Sequence, residues 1–204
     1  MMPVMDGFTF LQNIRADIET SHIPFIILTA RSNLENQLLG LEKGADAYIS
    51  KPFSPSYLKA CINNLLERQR QLQQLFSERV LEKAGHIEIE PSQPEITSMD
   101  EAFIRKLISF MEKNMDNNDL VVDDLVTEMG VSRSVFFKKM KALTGMAPIE
   151  FIRDIRMKRA AQLIKIGDYN INQVAFMVGI NDARYFSRCF REKFGMSPSE
   201  YKDA

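Results

Sequence analysis

The feature that most constrains this chain is a near-duplication within its C-terminal part. Gly145-Met146-Ala147-Pro148-Ile149-Glu150-Phe151 returns at an offset of 50 as Gly195-Met196-Ser197-Pro198-Ser199-Glu200-Tyr201. Upstream, Phe136, Lys138, Met140 and Lys141 correspond to Phe186, Arg188, Phe190 and Arg191 at the same offset. Gly130-Val131-Ser132 matches Gly179-Ile180-Asn181 at an offset of 49, so the second copy carries an extra residue in its turn. A period of this length means one supersecondary unit used twice. In each copy a short apolar-periodic segment runs into Gly and a second helical segment follows. Gly accepts the left-handed turn and the next apolar residue fills the angle between the helices, which is the helix-turn-helix pattern.

Capping residues and glycine breaks set the predicted helices around this repeat. They run from Asp100 to about Met115, Asp123 to Gly130, Ser132 to Gly145, Pro148 to about Ile166, Asn170 to Gly179, and Asn181 or Asp182 to Gly195, with Pro198 opening the tail. Helical spacing turns Leu125, Val126, Met129, Val131, Phe136, Met140 and Leu143 inward in the first copy. It leaves Arg133, Ser134, Phe137, Lys138 and Lys141 on the outer face. In the second copy Ile171, Val174, Ala175, Val178, Ile180, Phe186 and Phe190 form the core, and Ala183, Arg184, Ser187, Arg188 and Arg191 stay outside.

Charge follows the same division. The whole chain carries a net charge of −1. Residues 1–98 hold 9 Lys+Arg against 12 Asp+Glu, residues 99–130 hold 3 against 8, and residues 131–197 hold 13 against 5. The basic excess therefore sits on the repeat, as expected of a surface that meets phosphates. A basic face on one isolated helix is ordinarily just solvated. Two such faces at equivalent positions, each after a glycine turn, point to paired helices fitted to the DNA major groove. The connecting helix, roughly 17 residues at about 1.5 Å each, is of a length to set them on successive groove segments.

The N-terminal part reads differently. Phe8, Leu11, Ile14 and Ile18 recur at helical spacing, and Pro24 then opens the apolar run Phe25-Ile26-Ile27-Leu28-Thr29. Leu34, Leu38, Leu39 and Leu41 predict a second helix ending at Gly44, and Ala47-Tyr48-Ile49 a short strand closed by Lys51-Pro52. Alternating helix and buried strand is the rhythm of a parallel α/β sheet. A long helix follows from about Ser56 to Lys83. The stretch Gly85 to Ser98, with Pro91 and Pro94, reads as a linker.

Residues 99–204 resemble the AraC/XylS-type DNA-binding domain. The marks are Met129-Gly130-Val131-Ser132, the run Lys141 to Pro148, and Arg156 and Ala160 within Arg153 to Leu163. Ala175 to Asp182, Tyr185 to Arg191, and Gly195 to Tyr201 complete them. The resemblance implies base contacts from Ser134, Phe137 and Lys138, and from Arg184, Tyr185 and Arg188. Phe137 stands where the family often has a polar residue; contact with a thymine methyl and inward packing are both open to it.

Met2-Pro3-Val4-Met5-Asp6-Gly7 resembles the segment after the phospho-accepting Asp of response-regulator receivers. Thr29 resembles the switch Thr, Tyr48 the switch aromatic, and Lys51-Pro52-Phe53 the site Lys with its following Pro, for which a cis peptide is expected. In the family the acceptor Asp and the acidic metal-binding pair come earlier, so no phospho-acceptor and no metal site are expected in this chain. Asp6 reads as a helix N-cap. The chain is accordingly read as the C-terminal part of a longer hybrid two-component regulator, or as a start placed at an internal Met.

The expected fold is mainly α: an all-α tandem helix-turn-helix domain over 99–204, a linker over 81–98, and the back half of a flavodoxin-like α/β receiver over 1–80. Double-stranded DNA is the expected partner. Self-association through the receiver remnant and the 56–83 helix, and contact with RNA polymerase, are further expectations. The opening MMPVMDGF lacks the pattern of a signal peptide, no apolar run reaches membrane-spanning length, and the resemblance implies the bacterial cytoplasm. Cys61 and Cys189 lack metal or redox spacing, and His22 and His86 have no ligand partners nearby in sequence. No cofactor and no enzymatic activity are expected. Two rival readings are a phosphate-accepting or kinase-docking element and a helical adaptor without DNA affinity.

Overall fold

Asp6 accepts the main-chain N–H of Thr9 at 2.7 Å and so caps helix α1 (Gly7–Ala16), the role read from its position. It belongs to a computed structural model that describes residues 5–30, 34–79 and 98–203. The chain divides into two compact units whose main bodies lie within Met1–Leu75 and Arg105–Ala204.

In the first unit, strand β1 (Ile26–Thr29) pairs in parallel with β2 (Ala47–Ser50), and helix α2 (Leu34–Glu42) connects them. The register sets Ile26 beside Ala47 and Thr29 beside Ser50. Leu11 of α1 and Ile49 of β2 are buried at its centre. Arg15 ties the loops at one end of this layer together. Its guanidinium donates to the Gly44, Ser21 and Ile23 carbonyls at 2.8–2.9 Å and to Asp46 Oδ2 at 2.7 Å. Lys51-Pro52 is a cis peptide, as expected. Helix α3 (Pro55–Arg79) follows; the last residues of the predicted 56–83 helix, and nearly all of the predicted linker, lie outside the described residues.

The leucine periodicity of α2 marks a helix correctly but not a buried face. Leu38 and Leu41 are each 51% exposed. Among the described residues the sheet is two strands wide, with about 5 Å between strands, which is too narrow to cover that face.

The second unit is entirely helical among its described residues: the C-terminal part of α4 (Ser98–Lys113), then α5 (Val122–Met129), α6 (Arg133–Thr144), α7 (Pro148–Ile166), α8 (Ile171–Met177), α9 (Ala183–Phe194) and α10 (Pro198–Asp203). Two boundaries correct the sequence reading. Helix α4 begins at Ser98, which the linker expectation had claimed. Helix α5 is capped at Val121, whose N–H bonds to Asp124 Oδ2 at 2.9 Å, so Asp123 lies inside the first turn. The other caps are local and legible. Ser132 accepts from Val135 N, Asn170 and Gln173 cap reciprocally, and Asp182 accepts from Arg184 N and Tyr185 N. Gly130, Gly145 and Gly195 each end a helix at positive φ, where a side chain would be strained.

Helix α7 is the spine against which α6, α8, α9 and α10 pack. The first copy buries Leu125, Met129, Phe136 and Met140, and the second buries Val174, Ala175, Val178, Ile180, Phe186 and Phe190 against Met157, Ala160, Ala161 and Ile164 of α7. The Phe190 ring lies 5.9 Å from Phe186, 4.6 Å from Phe194 and 5.3 Å from Tyr201. Each such side chain contributes roughly 1.5–3 kcal/mol on burial, enough to hold α9 and the tail to one core.

Candidate nucleic-acid interface

The two second helices of the repeat, α6 and α9, present the faces expected of them. Arg133, Ser134, Lys138 and Lys141 are exposed on α6, and Phe137 is half-buried. On α9, Ala183, Arg184, Tyr185, Arg188 and Arg191 are exposed and Ser187 is half-buried. The opposite faces carry Phe136 and Met140, and Phe186, Cys189 and Phe190, all buried. Amphipathic spacing accounts for this division. Two residues separate Gly130 from the start of α6 and three separate Gly179 from α9, which is the extra turn residue seen in the repeat.

Details within each face required the structure. The Phe137 ring stands edge-on to Phe136, centroids 6.4 Å apart, and the Arg133 guanidinium lies 5.2 Å from its centre. Arg133 also pairs with the Asp123 carboxylate of α5. Lys141 Nζ donates to Gly145 O at 2.7 Å, closing the end of α6. On α9 the Arg188 guanidinium sits 5.4 Å from the Tyr185 ring centre. The neighbouring Cys189, followed by partial burial, pushes the Tyr185 hydroxyl above its ordinary 10.0, so it stays a neutral hydrogen-bond donor near neutral pH. Hydrogen bonds from the Tyr185 and Arg184 main-chain N–H groups hold the Asp182 carboxyl below its usual value, which keeps the cap charged.

Several residues that fix this geometry went unassigned in the sequence. Lys139 lies within the basic run of α6 yet is fully buried. Asp154 of α7 pairs with the buried Lys158 at 2.6 Å through one oxygen and with Lys193 of α9 through the other. Burial pushes the Lys158 ammonium down and Asp154 opposes that shift. Lys193 thus serves the α7–α9 packing and is turned away from the outer face. Arg156, buried, donates Nη2 to Asn117 O at 2.5 Å. It lies beside Gly179, where a Cβ would stand 2.8 Å from both Arg156 Nη2 and Met115 O. The segment between α4 and α5 therefore packs onto the turn of the second copy, which fixes the two copies relative to each other. The i,i+4 spacing of Asp154 and Lys158 was a visible signal for one of these bonds; the others join residues 39 apart in sequence.

In the first unit, Lys51 N donates to Thr29 O at 2.6 Å, so the ends of β1 and β2 bring these two residues together. Tyr48, one strand residue before Ile49, is half-buried beside Gly40, where a Cβ would meet its ring at 2.9 Å. Among the described residues, no helix is long and apolar enough to cross a membrane, and no His, Cys, Asp or Glu group is arranged to hold a metal ion.

Residues 125–204 match the helix-turn-helix domain family, and residues 1–63 match the response regulator receiver domain family. Across its full length the chain is 43% identical over 203 residues to a protein named histidine kinase P4 of Formosa agariphila, covering 100% of this chain and 14% of that protein. The response regulator Rre1 of Synechocystis is 44% identical over 70 residues, covering 34% of this chain and 30% of that one. The chain thus spans less than a third of the length of either relative. A DNA-binding transcriptional dual regulator from Escherichia coli K-12, whose crystal structure is solved, is 27% identical, covering 50% of this chain and 89% of that one at a TM-score of 0.46.

Proposed function

We propose that this chain, which joins a response-regulator receiver segment to an AraC-type helix-turn-helix domain, reads DNA sequence by setting α6 and α9 into successive major-groove segments. The observation that carries the reading is the pair of equivalent, cation-bearing faces held on one spine. Helix α7 has 19 residues, or about 28 Å at 1.5 Å per residue. With the width of the flanking units added, that length suits groove segments about 34 Å apart on one side of a duplex. Any misfit is taken up by bending the DNA.

Roles follow from chemistry and exposure. Ser134, Phe137 and Lys138 on α6, and Arg184, Tyr185 and Arg188 on α9, face base edges. Lysine and arginine forks suit guanine acceptors, and tyrosine offers one donor and one acceptor. Arg133, Lys141, Ala183, Ser187 and Arg191 flank them and meet the phosphate backbone, which orients the protein without reading sequence.

Self-association is a further part of this reading. Helix α3 exposes Tyr57, Ile62 and Leu66, which supports pairing through the 56–83 helix; sedimentation of the wild-type chain beside an I62E/L66E variant tests it. RNA polymerase as a partner and the cytoplasm as the location rest on the family resemblance alone.

Selection of bound sequences from random duplexes, followed by footprinting, tests the main claim. The expected footprint spans two groove segments on one DNA face. Lys138→Ala and Arg188→Ala should each weaken specific binding by about 1–3 kcal/mol. A footprint over a single groove segment, or unchanged affinity in both variants, contradicts the assignment.

A further inference from the structure

Arg133 is engaged on two sides. The Asp123 carboxylate of α5 takes its guanidinium, and the Phe137 ring lies 5.2 Å beneath it. Phe137 is itself braced edge-on against the fully buried Phe136, so the ring is a fixed platform. The pair is nevertheless at the surface, with Arg133 59% and Asp123 69% exposed. It opens the same helix that carries Ser134 and Lys138.

The equivalent end of α9 is arranged otherwise. The Asp182 side chain is spent as a cap, its Oδ1 accepting from Arg184 N at 2.8 Å and Tyr185 N at 3.0 Å. Arg188 rests on a ring, Tyr185, as Arg133 rests on Phe137. Only in the first copy does a carboxylate from the preceding helix close over the recognition-helix arginine, among the described residues. The first helices differ at the matching place too. Asp123 is the second residue of α5, and the second residue of α8 is Asn172.

A guanidinium held by a carboxylate at the edge of a groove-facing helix has two anionic partners to choose between. An exposed pair of this type favours the closed arrangement by a factor of up to about five. A phosphate presented in the wrong place fails to displace the carboxylate; one presented in register, with base contacts already made by neighbours, succeeds. Resting on the DNA-binding reading above, we infer that Asp123 is a specificity-determining residue: it latches Arg133, which stays closed on non-cognate duplex and transfers to the DNA at the cognate site. Asp123 thereby suppresses sequence-independent attachment of the first recognition helix.

The test is equilibrium binding of the full chain to a random-sequence duplex and to its selected site, over a salt series. The variants are Asp123→Asn, Arg133→Ala, the double variant, and Glu112→Gln as a charge-matched control on the exposed surface of α4. D123N should tighten random-duplex binding about two- to five-fold and steepen its salt slope by about 0.9, one added phosphate contact. The preference for the selected site should shrink correspondingly. R133A should weaken the selected site and leave the random duplex unchanged, and D123N should have no further effect once Arg133 is gone. The inference is overturned if D123N tightens random binding equally with and without Arg133, or if E112Q does the same, since either assigns the gain to overall charge. It is also overturned if D123N changes nothing, or if R133A alone weakens the random duplex. A wild-type chain without preference for any duplex overturns the DNA-binding reading itself, whereas a wild-type preference unaltered in D123N refutes only the latch.

Discussion

Two glycines at matching places in the repeat give a controlled test of how the copies are joined. Gly130 and Gly179 end the first helix of each copy with φ of +67° and +68°. Alanine at either pays the left-handed penalty of about 1–2 kcal/mol. Around Gly130 nothing lies within 4 Å of an added Cβ, so that penalty is the whole cost. At Gly179 the Cβ would stand 2.8 Å from Met115 O and from Arg156 Nη2, and 3.0 Å from Asn117 O. Two of these are main-chain carbonyls, and the third belongs to a buried guanidinium already bonded to Asn117 O, so relief requires backbone movement. Overpacking of this kind adds about 1–3 kcal/mol. Gly179→Ala should therefore destabilise the unit by about 2–5 kcal/mol, and Gly130→Ala by about 1–2 kcal/mol. Urea unfolding of the two variants, followed by far-UV circular dichroism, measures the difference. Amide exchange at Ile180, whose N–H bonds to Ala175 O at 2.9 Å, locates it. G179A should also lose specific DNA affinity, because the segment it displaces holds one copy against the other. Equal destabilisation in the two variants, within about 0.5 kcal/mol, would refute the close packing at Gly179 and the fixed join that depends on it.

Removing Asp154 should leave the buried Lys158 ammonium unpaired and release Lys193 from α7. Asp154→Ala is expected to cost about 3 kcal/mol in urea unfolding, whereas Lys158→Met, which removes the buried charge along with its need for a partner, should be close to neutral. The Asp182 cap makes a pH prediction. Its carboxyl is held below 3.8 in the folded chain by the Tyr185 and Arg184 N–H groups, so the unfolded chain binds the proton more readily. The contribution is complete above the unfolded value and disappears as pH falls through the folded one. Asp182→Asn should flatten the acid limb of the stability–pH curve, and an unchanged limb would remove the cap from the account.

Much of the candidate site was legible because it is written in short-range signals. Caps at Ser132, Asn170 and Asp182, and glycines at Gly130, Gly145 and Gly195, act within one turn of the residues they serve. Amphipathic spacing then separates Phe186 and Phe190 from Arg184 and Arg188 without reference to any neighbour. The same signals are silent where burial depends on what lies opposite. The leucines of α2 have helical spacing, yet a narrow sheet leaves Leu38 and Leu41 in the open. Lys139 sits in a basic run and is nevertheless buried.

By itself, the sequence determined that a glycine-broken helical pair is used twice, that each copy keeps an apolar face, and that the basic excess falls on the other. Periodicity and turn chemistry are properties of neighbours along the chain, so no folded partner is needed to read them. Tertiary structure alone decided which cations stay available. It closed Arg133 against Asp123, committed Lys193 to Asp154, and set Arg156 on Asn117 beside Gly179. Groups far apart in sequence meet only when packing carries them within a few ångströms, where their attraction is least screened.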